Sequence, residues 1–256
     1  MNPTSLPLSR RRFLRNSGLA TAAAAAPLIL PSGLRGQNAP SRKITVGIVG
    51  SGNIADSHYG ALLGDENVRI IGVCDVDRER REEGAARVNQ AYGNKDCRAH
   101  ADFRELNRRG DIDTVFVCTP DHWHALVAID AMRNGKDVYI EKPMTLTIEE
   151  GRAVVATARK YNRVAQHGTQ HRSMKRFHDV AQFVRNGGLG KVHRIECFIP
   201  PNNRHCGATW TPEAVPAGLD WDMWLGPAPW RPYSSLGCHY NFRFISDAAY
   251  GQVTNW

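Results

Sequence analysis

A lysine followed by proline stands directly after a short apolar segment, in Glu141-Lys142-Pro143. Beside a bound alcohol, an ammonium group can hydrogen-bond the reacting oxygen and stabilise an alkoxide, and burial lowers its pKa so that it can share in proton transfer. Pro143 restricts Lys142 to extended geometry, which fixes the direction of the side chain. Lys142 is therefore the first candidate for a catalytic group. The alternative interpretation is a simple ion pair between Glu141 and Lys142 at a strand end.

A second segment has the composition of a phosphate-binding loop. Gly50 permits a tight turn, Gly52 lets the backbone approach a pyrophosphate, and Ala55 keeps the following helix close to the strand. Amide groups at the start of that helix hold phosphate charge. The motif follows a predicted strand and opens a predicted helix, which is the context that a dinucleotide fingerprint requires; a glycine turn without a ligand is the alternative. The segment reads Gly50-Ser51-Gly52-Asn53-Ile54-Ala55.

Asp75 stands at the end of the second predicted strand. Its carboxylate can accept hydrogen bonds from the hydroxyls of an adenosine ribose and would repel a 2′-phosphate. The sequence therefore favours NAD over NADP, although the nearby Arg78 leaves NADP open. The alternative is an acidic residue in a solvated loop.

Two further segments follow the third and fourth predicted strands. Ligands of open α/β sheets bind at the carboxyl ends of parallel strands, so we expect both segments to face the same crevice as Gly50. His124 is a candidate there, the alternative being a histidine that packs or faces solvent. The segments read Cys118-Thr119-Pro120-Asp121-His122-Trp123-His124 and Glu141-Lys142-Pro143.

These segments require a framework of alternating strands and helices. From residue 43 short apolar runs alternate with helical stretches, which predicts βαβ units and the α/β class with a Rossmann-type, doubly wound parallel sheet. Gly135 is expected to cap the third helix, and Thr147 with Glu150 to form a capping box. The predicted strands are Ile44–Val49, Val68–Cys74, Thr114–Cys118, Asp137–Ile140 and Val164–His167. The predicted helices are Ile54–Leu63, Arg78–Tyr92, His122–Asn134 and Ile148–Tyr161.

The regular alternation of apolar runs and helical stretches ends after His167, so we predict a dinucleotide-binding domain over residues 43–165 and a second domain over 166–256. The second domain is expected to be α+β with a mainly antiparallel sheet, beginning with a helix at Met174–Arg185 and a strand at Val192–Phe198. A long stretch rich in proline, glycine and tryptophan follows. The chain stops at an apolar, aromatic segment, and we therefore expect this domain to be incomplete.

Composition and charge exclude several classes of protein. The 256 residues are 42% hydrophobic and 23% charged, which is ordinary globular composition. The formal charge is +8, but residues 1–39 hold five arginines and no acid, so no basic stripe argues for a nucleic-acid partner. The six cysteines form no C-x-x-C pair, and His122 and His124 lack a third ligand at suitable spacing, so no metal site is expected.

The N-terminus has the composition of an export signal. The segment Ser9-Arg10-Arg11-Arg12-Phe13-Leu14-Arg15 resembles the twin-arginine signal of bacteria, and the apolar run Leu19 to Leu30 is too short to span a bilayer. We expect residues 1–40 to be a signal peptide and linker and the protein to be periplasmic or otherwise exported. The twin-arginine machinery would then be a partner, and an ordinary secretory signal is the alternative. Because that route carries folded proteins, a tightly held cofactor is expected.

Taken together, GSGNIA, CDVD at Cys74–Asp77, CTPDHWH at Cys118–His124 and EKP resemble the Gfo/Idh/MocA family of oxidoreductases over residues 43–256. The resemblance implies an NAD(P) cofactor, a homo-oligomer when full length, a cis Lys142-Pro143 bond, and Lys142 at the nicotinamide and the substrate. It also implies an acid/base histidine beyond Trp256. Its implied cofactor-binding residues are Gly50, Ser51, Gly52, Asn53, Ile54, Asp75, Cys118, Thr119, Pro120, His124, Glu141, Lys142 and Gln170. Its implied substrate residues are Lys142, Arg231 and Tyr233, and Arg231 with Trp221 or Tyr233 is expected to close over the cofactor or the substrate. Aromatic packing inside the second domain is the alternative for the tryptophans.

Three functions follow as hypotheses. The first is an NAD(P)-dependent oxidoreductase that transfers a hydride between the nicotinamide and a hydroxyl of a sugar, polyol or glycoside. The second is a glycosidase that retains NAD and acts by transient oxidation and elimination, since an exported enzyme has no pool of free cofactor. The third is a truncated, inactive nucleotide-binding or sugar-binding module.

Overall fold

The computed structural model describes residues 43–199 and 210–255. Six parallel strands form one sheet in the order β3-β2-β1-β4-β5-β6. This is the order of a doubly wound Rossmann sheet, so the predicted fold class is confirmed. The strands are β1 (Ile44–Val49), β2 (Val68–Cys74), β3 (Arg98–His100), β4 (Thr114–Val117), β5 (Asp137–Ile140) and β6 (Ala165–His167).

Helices connect the strands and cover both faces of the sheet. Two end signals are as predicted: Thr147 and Glu150 form a capping box, and Gly135 has a positive φ directly after the Asn134 cap. The helices are α1 (Asn53–Leu63), α2 (Arg78–Tyr92), α3 (Phe103–Asn107), α4 (Asp121–Arg133), α5 (Ile148–Tyr161), α6 (Lys175–Arg185), α7 (Trp221–Leu225) and α8 (Gly251–Asn255). Among the described residues, short 3₁₀ helices lie at Gln170–Arg172, Ser235–Gly237 and His239–Phe244.

The core lies in two layers, one on each side of the sheet. On one face Val46, Ile48 and Ile70 pack against Tyr59 of α1 and Val88 of α2. On the other face a larger cluster joins the sheet to α3, α4 and α5. Its most buried members include Leu106, Val115, Val117, Ala128, Met132, Ile140 and Val154. Alternate side chains of each strand serve opposite layers, which is why the strands are apolar almost throughout.

The segment after the sheet packs over the carboxyl ends of its strands. The amide of Arg78 donates to Gly218 O, the amide of Asp220 donates to Val76 O, and an antiparallel bridge joins Asp77 to Leu219. An aromatic cluster of Leu219, Trp221, Trp224, Leu225, Tyr233 and Cys238 forms the centre of this segment. These contacts make it the roof of the crevice that the sheet opens.

Two expectations about this later part of the chain differ from the structure. The predicted strand Val192–Phe198 is wrong, because these residues are exposed and form no strand pairing. No strand follows His167 within 168–199 and 210–255, so the predicted antiparallel sheet is not found in these ranges. A strand needs neighbours that satisfy its backbone groups, and residues 192–198 have no such neighbour among the described residues and take no regular secondary structure. The predicted domain boundary near residue 166 stays a prediction.

Candidate active site

A cavity of about 340 Å³ lies where the strand order reverses, between the ends of β1 and β4. This is the topological switch point at which open α/β sheets bind ligands. Ser51 is a predicted cofactor residue that does not line the cavity; its amide donates to Asp75, which does line it. The cavity is lined by the others, which are Gly50, Gly52, Asn53, Ile54, Asp75, Cys118, Thr119, Pro120, His124, Glu141, Lys142 and Gln170.

The glycine loop forms a cradle in which a side chain at Gly50 would meet backbone, and one at Gly52 would displace the end of an arginine side chain. Gly50 has φ +88°, and a Cβ there would lie 2.5 Å from the carbonyl oxygen of Cys118. A Cβ at Gly52 would lie 2.8 Å from a guanidinium nitrogen of Arg80. Helix α1 begins directly after Gly52 without a side-chain cap, so its first amide groups point toward an outside acceptor.

Asp75 is held rigidly beside this loop. One carboxylate oxygen accepts the Ser51 amide at 2.8 Å and the other accepts the Asp77 amide at 2.9 Å. Burial raises the pKa of Asp75, and these two hydrogen bonds together with the positive charge of Arg80 oppose that rise. Each oxygen keeps lone pairs for ribose hydroxyls.

The residues present fit a dinucleotide. The Gly50–Gly52 cradle admits a pyrophosphate, α1 offers uncapped amides, and Asp75 offers oriented acceptors for a ribose. Thr119 Oγ1 is buried at the cavity wall and has no hydrogen-bond partner among the residues that the structure describes. A buried hydroxyl without a partner is costly, and a polar ligand in the cavity would satisfy it.

Lys142 enters the cavity from the loop after β5. Its amide donates to Glu141 Oε2 at 3.1 Å, and its Nζ donates to Asn255 Oδ1 at 2.9 Å. Burial and the positive charge of Arg243 lower the pKa of Lys142, whereas Glu141 and Asp121 oppose this effect. The Lys142-Pro143 peptide bond is cis, as the resemblance implied.

Glu141 is buried and makes a different ion pair from the one considered above. Its Oε1 lies 2.8 Å from His58 Nε2 on α1. Burial raises its pKa, but the hydrogen bonds from His58 and from the Lys142 amide outweigh burial, and the pKa of Glu141 is lowered overall. Glu141 therefore stays ionised and supports Lys142 through the backbone.

Asp121 is a site residue to which the sequence reasoning assigned no role. It is the first residue of α4, is 3% exposed and lines the cavity. Burial raises its pKa to about 7, against the lowering influence of Arg243 and Lys142. The signal that could have revealed it is an acidic residue at a strand end, between Pro120 and a helix. Asp121 can therefore gain or lose a proton near neutral pH.

The roof contributes further residues that no sequence pattern singled out. His239, Tyr240, Phe242, Arg243 and Asn255 all line the cavity. They come from a segment without helical or strand periodicity, and only its folding over the sheet brings them to the lysine. Arg243 adds positive charge beside Asp121 and Lys142.

His124 lines the cavity but is 1% exposed. Its Nδ1 lies 2.6 Å from Pro143 O and its Nε2 lies 2.8 Å from Thr119 O. Burial lowers its pKa, while these two carbonyl groups oppose that. Its ring thus connects the loop after β4 with the loop after β5.

Arg231 and Tyr233 are not brought to this cavity. Tyr233 packs edge-on against Trp221 within the aromatic cluster, with ring centroids 5.1 Å apart. The Arg231 guanidinium lies 4.4 Å from the Trp210 ring and 5.0 Å from the Trp221 ring, and it donates to Gly237 O. Aromatic and cation–π packing accounts for both positions, so their substrate role stays a prediction without support from the geometry.

Residues 43–199 and 210–255 show no sign of a metal site, a membrane span or a disulfide. These residues contain no cluster of histidine, cysteine and acidic side chains that could hold a metal ion. No helix in these ranges is long and apolar enough to span a membrane. The cysteines in them are free thiols, and Cys206 lies outside the described residues, as does the predicted signal segment.

Two profiles of one protein family match this chain. The first is described as "Oxidoreductase family, NAD-binding Rossmann fold" and matches residues 44–169. The second is the family's "C-terminal alpha/beta domain" and matches residues 203–255. A glycosyl hydrolase family 109 protein of Saccharopolyspora erythraea is 34% identical over 178 residues, covering 62% of this chain and 38% of that protein. The uncharacterized oxidoreductase YrbE of Bacillus subtilis is 26% identical, covering 63% of this chain and 47% of its own.

Solved structures agree with these matches. The WlbA dehydrogenase of Chromobacterium violaceum, in complex with NADH and UDP-GlcNAcA, has a TM-score of 0.52 and 29% identity, covering 58% of this chain and 41% of its own. The myo-inositol 2-dehydrogenase of Lactobacillus plantarum, at 22% identity and a TM-score of 0.52, covers 59% of this chain and 43% of its own and supports the fold alone. The chain spans less than half the length of these proteins. By both family profiles and its Rossmann sheet, the chain belongs to the Gfo/Idh/MocA family of NAD-binding oxidoreductases.

Proposed function

We propose that this protein is an NAD(P)-dependent oxidoreductase that transfers a hydride between the nicotinamide and a hydroxyl-bearing carbon of a sugar, polyol or glycoside. The observation that carries the proposal is the position of Lys142. Its amine lies in the same cavity as the Gly50–Gly52 cradle and Asp75, beside the ionisable Asp121. One cavity therefore combines a dinucleotide cradle with groups able to move a proton.

The side chains can manage the proton of the reaction. Oxidation of an alcohol removes a hydride from carbon and a proton from oxygen, and a bound nicotinamide supplies the acceptor for the hydride. Lys142 Nζ can hydrogen-bond the alcohol oxygen and, in its neutral form, accept that proton. Burial lowers the pKa of Lys142 and so favours this neutral form, and Asp121, with a pKa of about 7, is a second group in the cavity that can hold a proton. Reduction runs the same transfers in reverse.

A polar carbohydrate suits this cavity better than an apolar substrate. Lys142, Asp121, Arg243 and Asn255 supply donors and acceptors at one end of the lining. The WlbA relative was solved with a nucleotide sugar, which supports this substrate class. We further propose that NAD is preferred to NADP, because the Asp75 carboxylate, held by the Ser51 and Asp77 amides, would accept hydrogen bonds from ribose hydroxyls and repel a 2′-phosphate.

The proposal is tested with Lys142→Met, which keeps the length of the side chain and removes the amine. The matched control is Lys160→Met, at an exposed position on α5. Reduced nicotinamide is followed by absorbance with a panel of sugars, polyols and glycosides, and NADH affinity is measured by calorimetry. We expect Lys142→Met to lower turnover by a factor of roughly 10² to 10⁴, as for loss of a general acid–base group. NADH binding should change by less than about tenfold.

Two results would contradict this function. Turnover by Lys142→Met equal to that of Lys160→Met would remove the catalytic assignment. A folded wild-type protein that binds neither NADH nor NADPH would instead favour the inactive module, because the cradle would then hold no dinucleotide.

A second candidate is a glycosidase that retains NAD and returns it to its starting state in every cycle. The observation that favours it is the 34% identity to a glycosyl hydrolase family 109 protein. The twin-arginine-like Arg10-Arg11 segment agrees with it, because an exported enzyme needs a cofactor that does not dissociate. Transient oxidation acidifies the neighbouring C–H, the aglycone leaves by elimination, and water addition with reduction restores the sugar.

Isotope exchange separates the two candidates. Glycoside cleavage in deuterated water places deuterium on the carbon next to the transiently oxidised position, whereas simple oxidation and release leave that carbon protonated. Cleavage without deuterium in the product would eliminate the second candidate. Oxidised product without cleavage would favour the first.

We also propose that the protein is exported by the twin-arginine route with its dinucleotide already bound, on the strength of the Ser9–Arg15 segment alone. Native mass spectrometry of the protein from the envelope fraction of its host measures the chain mass, loss of the leader and any bound nucleotide. Recovery only from the cytoplasm with an intact leader would refute export.

A further inference from the structure

We propose that His58 and His124 are positioning residues that hold the Lys142 segment from its two sides, one through Glu141 and the other through Pro143. This inference rests on the proposed role of Lys142. The chain uses two histidines from two different helices to fix three consecutive residues. Each ring is engaged by the protein, His58 by the Glu141 carboxylate and His124 by the carbonyl groups of Thr119 and Pro143.

The first side of the segment is held by α1. His58 Nε2 lies 2.8 Å from Glu141 Oε1, and the other oxygen of that carboxylate accepts the Lys142 amide. Because both contacts use one planar carboxylate, the His58 ring sets the orientation of the group that binds the lysine backbone. The contact is enclosed, with side-chain exposures of 15% for His58 and 5% for Glu141.

Aromatic packing fixes the His58 ring itself. Phe116 of β4 and Tyr139 of β5 stack with centroids 4.8 Å apart, and the His58 ring meets each of them edge-on at 5.3 Å. Edge-on and stacked rings restrict rotation of the imidazole. His58 also lies on the helix whose first turn faces the glycine cradle, so the cradle and the lysine segment share one rigid element.

The second side is held by α4. His124 Nδ1 lies 2.6 Å from Pro143 O, and Nε2 lies 2.8 Å from Thr119 O. A carbonyl oxygen only accepts and a neutral imidazole carries one N–H, so the neutral ring donates to one of these carbonyl groups, and only the imidazolium donates to both. His124 is 1% exposed, so its ring is enclosed by the protein. The ring therefore ties the strand-end loop of β5 to that of β4, with Lys142 between the two attachments.

The test measures the ionisation of Lys142 without substrate or cofactor. Acetic anhydride labels neutral amines. Mass spectrometry of the peptide that contains Lys142 gives its labelling rate at each pH, and the midpoint of this curve reports the ionisation of the amine. The exposed Lys95 is the internal reference. His58→Leu and His124→Leu free the segment and expose the amine, and we expect each to raise the midpoint by about one pH unit. His58→Gln keeps a donor toward Glu141 and should restore the wild-type midpoint.

The outcomes are distinct from those for the proposed function. Folded His58→Leu and His124→Leu with an unchanged Lys142 midpoint would overturn the inference, even in an active enzyme. If the wild-type protein transferred no hydride, the proposed function would fail, but the effect of the two histidines on the labelling of Lys142 would still be measurable. If the leucine variants do not fold, amide hydrogen exchange of the wild type decides, because the Glu141 carboxylate that His58 contacts accepts the Lys142 amide and should protect it. Exchange of that amide as fast as in an unstructured peptide would refute the inference.

Discussion

Replacing Gly50 with alanine tests the close approach on which the dinucleotide cradle depends. Gly50 has φ +88°, a region that residues with a Cβ disfavour, and its amide donates to Cys74 O at 2.8 Å. The added methyl group would lie 2.5 Å from the carbonyl oxygen and 2.6 Å from the carbonyl carbon of Cys118. Both atoms belong to the backbone after β4, so the two strand ends must separate.

The magnitude follows from two contributions. An L-residue at positive φ costs about 1–2 kcal/mol. Forcing a methyl group into a packed position costs about 1–3 kcal/mol more. The free energy of unfolding should therefore fall by about 2–5 kcal/mol. For a chain of this size, this corresponds to a fall in Tm of about 5–15 °C. The displaced loop should also raise the Kd for NADH at least about tenfold, or 1.4 kcal/mol.

Gly60→Ala is the matched control, because Gly60 lies within α1, the helix that follows the same loop. A Cβ at Gly60 would meet nothing within 4 Å. In a helix, alanine is favoured over glycine by about 0.5–1 kcal/mol, so this variant should melt slightly above wild type. Scanning calorimetry gives Tm for both variants, and titration calorimetry gives the NADH affinity.

A Gly50→Ala protein with the Tm and the NADH affinity of the wild type would refute the predicted clash with Cys118. A fall in Tm of equal size in both variants would also refute it, since the loss would then not arise from the contact with Cys118. A loss of stability with unchanged NADH affinity would show that the Gly50–Gly52 cradle does not bind the dinucleotide.

Two further predictions concern charge and packing. Asp121 has a folded pKa of about 7, above its unfolded value of about 4, so the folded protein holds a proton that the unfolded chain has released. The free energy of unfolding should therefore fall as pH rises from about 4 to about 7, by at most on the order of 4 kcal/mol. Asp121→Asn should remove this loss. A Tm difference between the variant and the wild type that is constant with pH would contradict the prediction. Met132 is fully buried between α4 and the sheet, so Met132→Ala should lower the free energy of unfolding, measured in urea, by about 2–5 kcal/mol. Met174 is 38% exposed, and Met174→Ala should lower it by less than about 1 kcal/mol. Equal losses in the two variants would disprove the assigned core.

Local pattern determined most of the Rossmann framework. The strand Ile44–Val49 and the helices Arg78–Tyr92 and Ile148–Tyr161 have the predicted bounds, because short apolar runs and end signals are encoded within a few residues. The capping box at Thr147 is one such signal. These features depend on neighbours in the chain, so composition and spacing suffice to identify them.

The elements that were missed are short and depend on tertiary contacts. Strand β3 has three residues, Arg98–His100, and helix α3 has five, Phe103–Asn107. Neither is long enough to show a hydrophobic period, and β3 exists because β2 offers it an edge. Conversely, Val192–Phe198 has the composition of a strand but no pairing within the described residues.

The sequence by itself determined the family, the cradle at Gly50–Gly52 and the lysine after β5, because each is carried by consecutive residues next to a strand end. Only the tertiary structure decided what surrounds that lysine. Asp121, Arg243 and Asn255 come from separate parts of the chain and share one cavity with Lys142. The same folding took Arg231 into the aromatic cluster, away from that cavity. Burial and the charge of distant residues set an ionisation constant, and neither is written in the local sequence.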